Sequence, residues 1–242
     1  PNWETIGRYA ALSTSRQDLF WELQSGEGPE PKEDWYFPPI MGLGLVFNTY
    51  PKPNGHRSIA FNYPASLGEQ TPYDSIEGLA DLLLAAYQSM GPLPRSIGQV
   101  VAYSMGGIVA FEVIKRLEQA GTIVESLVIW DKPAQKFAPL PSESITTLRP
   151  ALTALVEQLT EDDQERVEAV STLLKHENLI EQYHQQGKVH CPIHVYHCPD
   201  GFDPQTMEDW QEFSSESVTF ESIATEHDEI PAYWQKKGAV NR

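Results

Sequence analysis

The segment VVAYSMGGIVAF, from Val100 to Phe111, joins an apolar strand-like run to an apolar helix-like run through a serine and two glycines. Catalytic serine turns have the pattern Gly-x-Ser-x-Gly between a strand and a helix, and the crowded turn needs small neighbours. Here Ala102 replaces the first glycine and Gly106 supplies the last, with Ser104 between them. A turn serine without a chemical role is the alternative, but the position between strand and helix favours a nucleophile.

Strand-like and helix-like segments alternate along most of the chain. The strand-like segments are DWYF, HRSIAFNYPA, SIGQVVAYS, TIVESLVIW, PIHVYHC and SVTFESIA. Between them, YDSIEGLADLLLAAYQ and GGIVAFEVIKRLEQAG carry apolar residues at the spacing of one helical face. This alternation predicts an α/β fold with a mostly parallel sheet and helices on both of its faces.

The 242 residues suffice for one sizeable core, and we predict a single domain over residues 35–242. Residues 1–34 end in SGEGPEPKED, a Gly/Pro/Glu cluster typical of a linker, so we expect a linker-like lead-in there. Strand alternation stops over residues 132–187, whose pattern is charged and helical. An insertion after a strand covers the active edge of such a sheet, and we interpret this one as a lid.

A serine hydroxyl is a poor nucleophile unless a histidine takes its proton and an acid orients that histidine. In α/β folds with such a turn, the chain order is serine, acid, histidine. His227 fits this order, because it lies in a loop after the last strand-like segment. His56 precedes the serine, and His176 and His184 lie in the helical block, where we expect them to be solvated. His227 is therefore the predicted base.

Two aspartates compete for the role of the acid. Asp131 ends the apolar run SLVIW, and Asp200 follows the run IHVYHC. Both positions lie at the carboxyl edge of the predicted sheet, where sites form in such folds. We favour Asp131, because a strand end holds a carboxylate rigidly, whereas the glycine and prolines around Asp200 indicate a looser turn.

An oxyanion formed on the attacked carbonyl needs backbone N–H donors. One donor follows the nucleophile and is here Met105, and the other lies in the loop after an early strand. The segment YFPPIMGLG fits that loop. Its prolines have no N–H, so Ile40 is the first residue after them that can donate.

The charge balance limits the partners of the chain. With 17 basic and 34 acidic residues, the net charge is −17, which disfavours nucleic acid and anionic membranes. There is no run of about 18 apolar residues, so no membrane span is expected. The first residues, PNWETIGRYAALSTSRQ, lack the pattern of a signal peptide.

Cys191 and Cys198 lie on one strand-like segment, roughly 23 Å apart and on opposite faces, so they cannot bridge each other. Reduced thiols and a cytoplasmic location are therefore expected. His190 and His194 share one face of this segment and raise the alternative of a metal site, but two ligands without a cysteine or carboxylate partner do not favour it. We expect no metal and no redox cofactor.

With these residues placed, the chain resembles the thioesterase domains that end nonribosomal peptide synthetases, polyketide synthases and fatty acid synthases. It is most similar to the surfactin and fengycin type of releasing thioesterase, over about residues 35–236. The segments that carry the resemblance are YFPPIMGLGLVF, VVAYSMGGIVAFEVIKRLEQAGTIVESLVIWDKPA, ENLIEQYHQQGKVHCPIHVYHC and TEHDEI. Such domains have the α/β-hydrolase fold with a helical lid insertion.

The resemblance implies a full set of site residues, namely nucleophile Ser104, acid Asp131, base His227, and oxyanion donors Ile40 and Met105. Discrete proofreading thioesterases often carry their acid after the later strand, which keeps Asp200 as the alternative acid. Ala102 departs from the usual glycine, and the residues after His227 lack the usual bulky Met or Leu pair. The lid stretch differs most from the family.

The implied activity is hydrolysis or cyclisation of a peptide or polyketide acyl chain, released through an acyl-enzyme on Ser104. The implied partner is an acyl or peptidyl carrier domain that bears phosphopantetheine and is tethered upstream. A discrete editing thioesterase that clears misloaded carriers is one alternative. A non-catalytic acyl-binding domain is the other, although an intact serine, acid and histidine set argues against it.

Overall fold

Seven strands form a single sheet in the part of the chain that the computed structural model describes, residues 19–64, 72–136, 163–199 and 202–240. The strands are β1 (Phe20–Gln24), β2 (Glu33–Phe37), β3 (Arg57–Phe61), β4 (Ser96–Tyr103), β5 (Ile123–Trp130), β6 (Ile193–His197) and β7 (Val218–Ser222). Their order across the sheet is β1-β3-β2-β4-β5-β6-β7. β1 pairs with β3 in antiparallel register, and the other neighbours are parallel.

Helices connect these strands. They are α1 (Ile76–Gln88), α2 (Gly106–Gln119), α3 (Asp163–Gln182), α4 (Pro204–Glu208) and α5 (Ile230–Val240). Single 3₁₀ turns lie at Gly44–Phe47, Asp209–Glu212 and His227–Glu229. The hydroxyl of Ser75 accepts a hydrogen bond from the N–H of Gly78 and caps the start of α1. Among the described residues, no helix is both long and apolar enough to cross a membrane.

The sheet is covered on both faces, because successive strand residues point to opposite sides. Trp35 and Phe37 of β2 belong to the cluster that α1 and α2 cover. Tyr36, between them, belongs to the second cluster, on the face covered by the turn at Phe47 and by Ile230 at the start of α5. The predicted α/β fold, with a mostly parallel sheet and helices on both faces, is confirmed.

The linker-like lead-in expected over residues 1–34 is wrong for its described part. β1 lies inside it and pairs with β3, and β2 already begins at Glu33. Glu33 and Asp34 are buried charged residues, and the structure gives them cationic or polar partners, Arg57 and His56. A charged strand start resembles a linker in sequence because its partners lie elsewhere in the chain. Residues 1–18 lie outside the described residues.

Only part of the predicted lid, residues 132–187, lies within the described chain. It contains α3, while residues 137–162 lie outside what the structure describes. Leu179 of α3 and Tyr183 beyond its end pack into the cluster on the α1 and α2 side of the sheet. The hydroxyl of Tyr183 donates a hydrogen bond of 2.8 Å to Glu112 of α2. The end of α3 is thus anchored to the core.

Candidate active site

Ser104 lies on a tight turn between β4 and α2. Its φ of 52° is in the left-handed region, which non-glycine residues rarely adopt. Its N–H donates to the carbonyl of Trp130 on β5 at 2.9 Å, and its own carbonyl accepts from the N–H of Gly107 at 2.8 Å. From Val100 to Ile114 it is the one residue that is not buried. The turn therefore presents Ser104 to solvent at the carboxyl edge of the sheet.

Asp131 and His227 meet at the same edge. Nδ1–H of His227 donates to Oδ2 of Asp131 at 2.6 Å, and Oδ1 of Asp131 accepts from the backbone N–H of Cys198 at 3.0 Å. The Asp131 side chain is fully buried, while the His227 side chain is 32% exposed. With Nδ1 committed to the carboxylate, the other ring nitrogen of His227 is available as a base.

The surroundings keep Asp131 ionised. Burial alone raises the pKa of this carboxyl group, because it disfavours the charged form. Hydrogen bonds from His227 and from the backbone N–H of Cys198 outweigh burial, so the pKa of Asp131 lies below the usual value for an aspartate. An ionised carboxylate fixes the orientation of the imidazole and stabilises its protonated form.

Tyr103 holds the loop that carries His227. Its hydroxyl donates to the backbone carbonyl of His227 at 2.6 Å, and the two rings lie 5.2 Å apart. On the other side, the ring of Phe202 lies 6.3 Å from that of His227. Reasoning from the sequence missed the role of Tyr103. Its position just before Ser104 was the available signal, because strand alternation turns it to the face opposite Ala102.

The two oxyanion donors predicted from the sequence lie on different elements. Met105 precedes the first residue of α2, where backbone N–H groups have no acceptor within the helix and the helix dipole favours negative charge. Ile40 lies in a turn after β2 that is closed by a hydrogen bond of 2.9 Å from the N–H of Gly42 to the carbonyl of Pro39. The hydroxyl of Tyr63 donates to the carbonyl of Pro38 at 2.9 Å and anchors the start of this turn.

Backbone strain is concentrated at this edge. Within the described ranges, the non-glycine residues with positive φ are Met41 at 74°, Ser104 at 52° and Asp131 at 48°. They follow β2, β4 and β5, which are neighbours in the sheet. Such conformations cost about 1–3 kcal/mol each and persist where the surrounding structure enforces them, which is common at functional sites.

The structure places the other candidates away from this constellation. His190 bonds to Ser215 and His194 to Thr219, each at 2.8 Å through Nδ1. No group of three or more His, Cys, Asp or Glu side chains suited to a metal occurs in the part of the chain that the structure describes. Asp200, the alternative acid, lies outside the described residues.

The expectation that His176 is solvated is wrong. Its side chain is fully buried on α3 and bonds to the backbone of Met41. The burial arises because α3 packs His176 against Tyr63 and Tyr73, whose rings line the loop after β3 and the approach to α1. Local pattern carried no clear signal of this burial, because the surrounding helix is charged on most of its positions.

A mostly parallel α/β sheet, with a strained serine after one strand and a buried aspartate–histidine pair beside it, has the arrangement of an α/β hydrolase. The chain belongs to the thioesterase domain family, whose model matches residues 35–237. The resemblance to thioesterase domains is thereby confirmed.

A mycosubtilin synthase of Bacillus subtilis is a relative in sequence. It is 31% identical over 137 residues, which cover 54% of this chain and 5% of the synthase. The chain thus spans only a small part of the length of this relative.

Solved thioesterase structures share the fold. The type II thioesterase BorB from the borrelidin biosynthetic cluster has a TM-score of 0.73 at 19% identity, over 94% of this chain and 98% of its own. The thioesterase domain SrfTE, described for the cyclization of the lipopeptide antibiotic surfactin, has a TM-score of 0.65 at 20% identity, over 93% and 94%. YbtT, a type II thioesterase from the yersiniabactin pathway, has a TM-score of 0.71 at 18% identity, over 93% and 96%.

Proposed function

We propose that the chain is a serine thioesterase that releases an acyl group from a carrier-bound thioester through an acyl-enzyme on Ser104. The observation that carries this proposal is the buried Asp131–His227 pair at the sheet edge where the strained serine turn lies. The family adds the class of bond that is attacked.

The proposed reaction has two steps. His227 takes the proton of the Ser104 hydroxyl as its oxygen attacks the thioester carbonyl, and Asp131 stabilises the imidazolium. The N–H groups of Ile40 and Met105 stabilise the tetrahedral oxyanion. The C–S bond then breaks, the thiol leaves with the proton from His227, and the acyl group stays on Ser104 as an ester. Water, or a nucleophile within the acyl chain, attacks this ester and releases an acid or a cyclic product.

The proposed substrate is a peptide or polyketide acyl chain on the phosphopantetheine of a carrier domain. The related synthase is far longer than the matched region, which supports delivery from a carrier tethered upstream. The net charge of −17 supports the same arrangement, because it disfavours electrostatic capture of a free acidic carrier. Tight, salt-sensitive binding of a free acidic carrier protein in fluorescence titrations would contradict this arrangement.

An editing role is the second candidate, because the structural relatives BorB and YbtT are both described as type II thioesterases. A comparison of kcat/KM on acetyl-carrier and on a long peptidyl thioester separates the two roles. Releasing activity requires the long substrate to be preferred by at least about tenfold, a difference of roughly 1.4 kcal/mol. The opposite preference assigns the domain to editing. Residues 132–187 are proposed to act as the lid that sets this preference.

The direct test is the acyl-enzyme. Incubation with an acyl thioester, followed by peptide mass mapping, should show the acyl group on the peptide that contains Ser104. Ser104→Ala should lose both labelling and turnover. Ser126→Ala is the matched control, because Ser126 lies inside the neighbouring strand β5 and should keep the parent rate. Full turnover in Ser104→Ala would overturn the proposed function.

A further inference from the structure

His176 links α3 to the turn that carries Ile40. Its Nδ1 lies 3.1 Å from the backbone nitrogen of Met41, and its Nε2 lies 2.8 Å from the hydroxyl of Tyr73. That hydroxyl lies 2.9 Å from the carbonyl oxygen of Pro64. The side chain of His176 is fully buried, and Tyr73 is 3% exposed, so water does not substitute for these contacts.

The hydrogen bonds require one protonation state of His176. The N–H of Met41 can only donate, so Nδ1 of His176 carries no proton and accepts. The carbonyl of Pro64 can only accept, so the Tyr73 hydroxyl donates its proton to it. The oxygen of Tyr73 is then left to accept from Nε2–H of His176. The imidazole is therefore neutral, with its proton on Nε2.

The contact with Met41 acts on a strained turn. The hydrogen bond from Gly42 to Pro39 closes a four-residue turn, and Met41 has a φ of 74° at its third position. That combination is typical of a type II turn, whose third position normally needs glycine. A methionine there favours the type I alternative, in which the peptide between Ile40 and Met41 is flipped. In that flipped peptide the Met41 N–H points away from His176.

We propose that His176 is a positioning residue for the oxyanion hole. It is a neutral imidazole, delivered by α3, that selects the strained turn and so fixes the direction of the Ile40 N–H. The inference rests on the proposed function through the role given to Ile40. It also makes α3, a part of the predicted lid, a structural support of the catalytic loop.

The first test compares two substitutions of His176. His176→Phe removes the acceptor for Met41, and we expect kcat to fall about 10–100-fold with KM within about threefold, less than the 10²–10³ for loss of a whole oxyanion donor. His176→Asn keeps an acceptor oxygen near the place of Nδ1 and should retain kcat within about fivefold of the parent. Equal kcat values for the parent and His176→Phe overturn the proposal.

The matched control lies just beyond the end of the same helix. Tyr183→Phe removes the buried hydrogen bond to Glu112 without contact to the turn at Met41. It should lower the melting temperature yet leave kcat unchanged. If Tyr183→Phe lowers kcat as much as His176→Phe, general loosening of α3 explains both, and the positioning role is wrong.

The second test needs no substitution and no turnover. Long-range ¹H–¹⁵N NMR spectra of the parent should show one buried neutral histidine with its proton on Nε2, assigned by its absence in His176→Asn. A proton on Nδ1, or a doubly protonated ring at neutral pH, overturns the proposal even if Ser104 is an active nucleophile.

A fluorophosphonate separates the two hypotheses. It phosphonylates an activated serine, and its phosphoryl oxygen occupies the same oxyanion hole, so the labelling rate of Ser104 measures the positioning effect without any thioester. A parent that is labelled rapidly but does not turn over thioesters contradicts the proposed substrate class alone. Equal labelling rates for the parent and His176→Phe contradict the role of His176 alone.

Discussion

The two edges of the sheet each carry an aspartate–histidine pair of nearly the same geometry. At the amino edge, Oδ2 of Asp34 lies 2.8 Å from Nδ1 of His56, with side chains 0% and 26% exposed. At the carboxyl edge, Oδ2 of Asp131 lies 2.6 Å from Nδ1 of His227, with side chains 0% and 32% exposed. In both pairs the second carboxylate oxygen accepts a backbone N–H from a neighbouring segment.

What differs is the backbone around each pair. At the carboxyl edge, Ser104 and Asp131 have positive φ, and α2 begins directly after the serine turn. At the amino edge, β4 offers the glycine at Gly98 beside Asp34. A buried aspartate–histidine pair is thus a structural solution that this chain uses twice. The strained serine and the helix start are what give one of the two pairs a chemical use.

Exchange of one carboxylate at a time gives the largest contrast between the edges. Asp131→Asn should lower kcat by up to about 10⁴-fold, by analogy with serine-protease triads, because the imidazole loses its orienting charge. Asp34→Asn should lower the free energy of unfolding by about 1–3 kcal/mol, because a buried hydrogen-bond network is weakened. Its kcat should stay within about threefold of the parent, a change below 1 kcal/mol.

Steady-state kinetics and urea unfolding of both variants decide this comparison. A large loss of kcat in Asp34→Asn would show that the two edges are coupled. Retention of activity in Asp131→Asn would favour Asp200 as the acid.

One glycine at each edge gives the second contrast. A Cβ on Gly106 would lie 2.2 Å from the carbonyl oxygen of Phe37, which is backbone and cannot move aside. Gly106→Ala should therefore cost about 3 kcal/mol or more of stability and slow the labelling of Ser104 by more than tenfold.

The matched change at the amino edge is Gly98→Ala. Its Cβ would lie 2.6 Å from Oδ1 of Asp34, which is a side-chain atom. We expect a loss of about 1–3 kcal/mol in stability with an unchanged labelling rate. Similar labelling losses in both variants would remove the distinction between the edges.

Lysines at the two edges differ in their partners. Lys132 follows Asp131 and is buried, and burial lowers its pKa to about 8. In the described chain its side chain donates to the amide oxygen of Gln135, not to a carboxylate. Lys32, at the amino edge, is partly exposed and forms an ion pair with Glu125.

Replacement of each lysine by methionine tests this difference through pH. Below pH 8 the folded state holds the buried charge of Lys132 at a cost, so Lys132→Met should raise the free energy of unfolding by roughly 2–3 kcal/mol. The parent binds fewer protons folded than unfolded between pH 8 and about 10.4, so the gain should shrink as pH rises through that window. Lys32→Met should change stability by less than about 1 kcal/mol. A pH-independent gain in Lys132→Met would contradict the buried charge.

The smallest effect is expected at Ala102, where thioesterases commonly have glycine. Ala102 is fully buried in β4, paired with Phe37 and Ile129. Ala102→Gly should lower stability by about 1 kcal/mol, because it removes a buried methyl group and loosens a strand, and it should leave kcat unchanged. Thermal unfolding with parallel kinetics checks both points. A rise in kcat would mean that the methyl group restrains the serine turn.

The sequence predicted the elements that are built from local pattern. β4, α2 and β5 are long, apolar and contiguous, so their identity and order follow from periodicity alone. The meeting of Asp131 with His227 could be expected from chain order and from the parallel sheet, although 96 residues separate them.

The misses involve groups whose partners are remote in sequence. Glu33 and Asp34 resembled linker residues because nothing near them showed Arg57 or His56. His176 was expected to be solvated because its partners, Met41 and Tyr73, lie 135 and 103 residues away. Local pattern reports which residues favour burial, but not which charges the fold can satisfy.

The sheet ladder continues through the strained residues. The N–H of Ser104 bonds to Trp130 at 2.9 Å, and the N–H of Asp131 bonds to Tyr196 at 2.7 Å. Hydrogen exchange at these two amides therefore requires the parting of β4 from β5 and of β5 from β6, which is an opening of the sheet centre. On the timescale of turnover, the nucleophile and the acid form a fixed frame. Substrate entry and product exit must then be timed by the segments that do not belong to the ladder, the His227 loop and the lid.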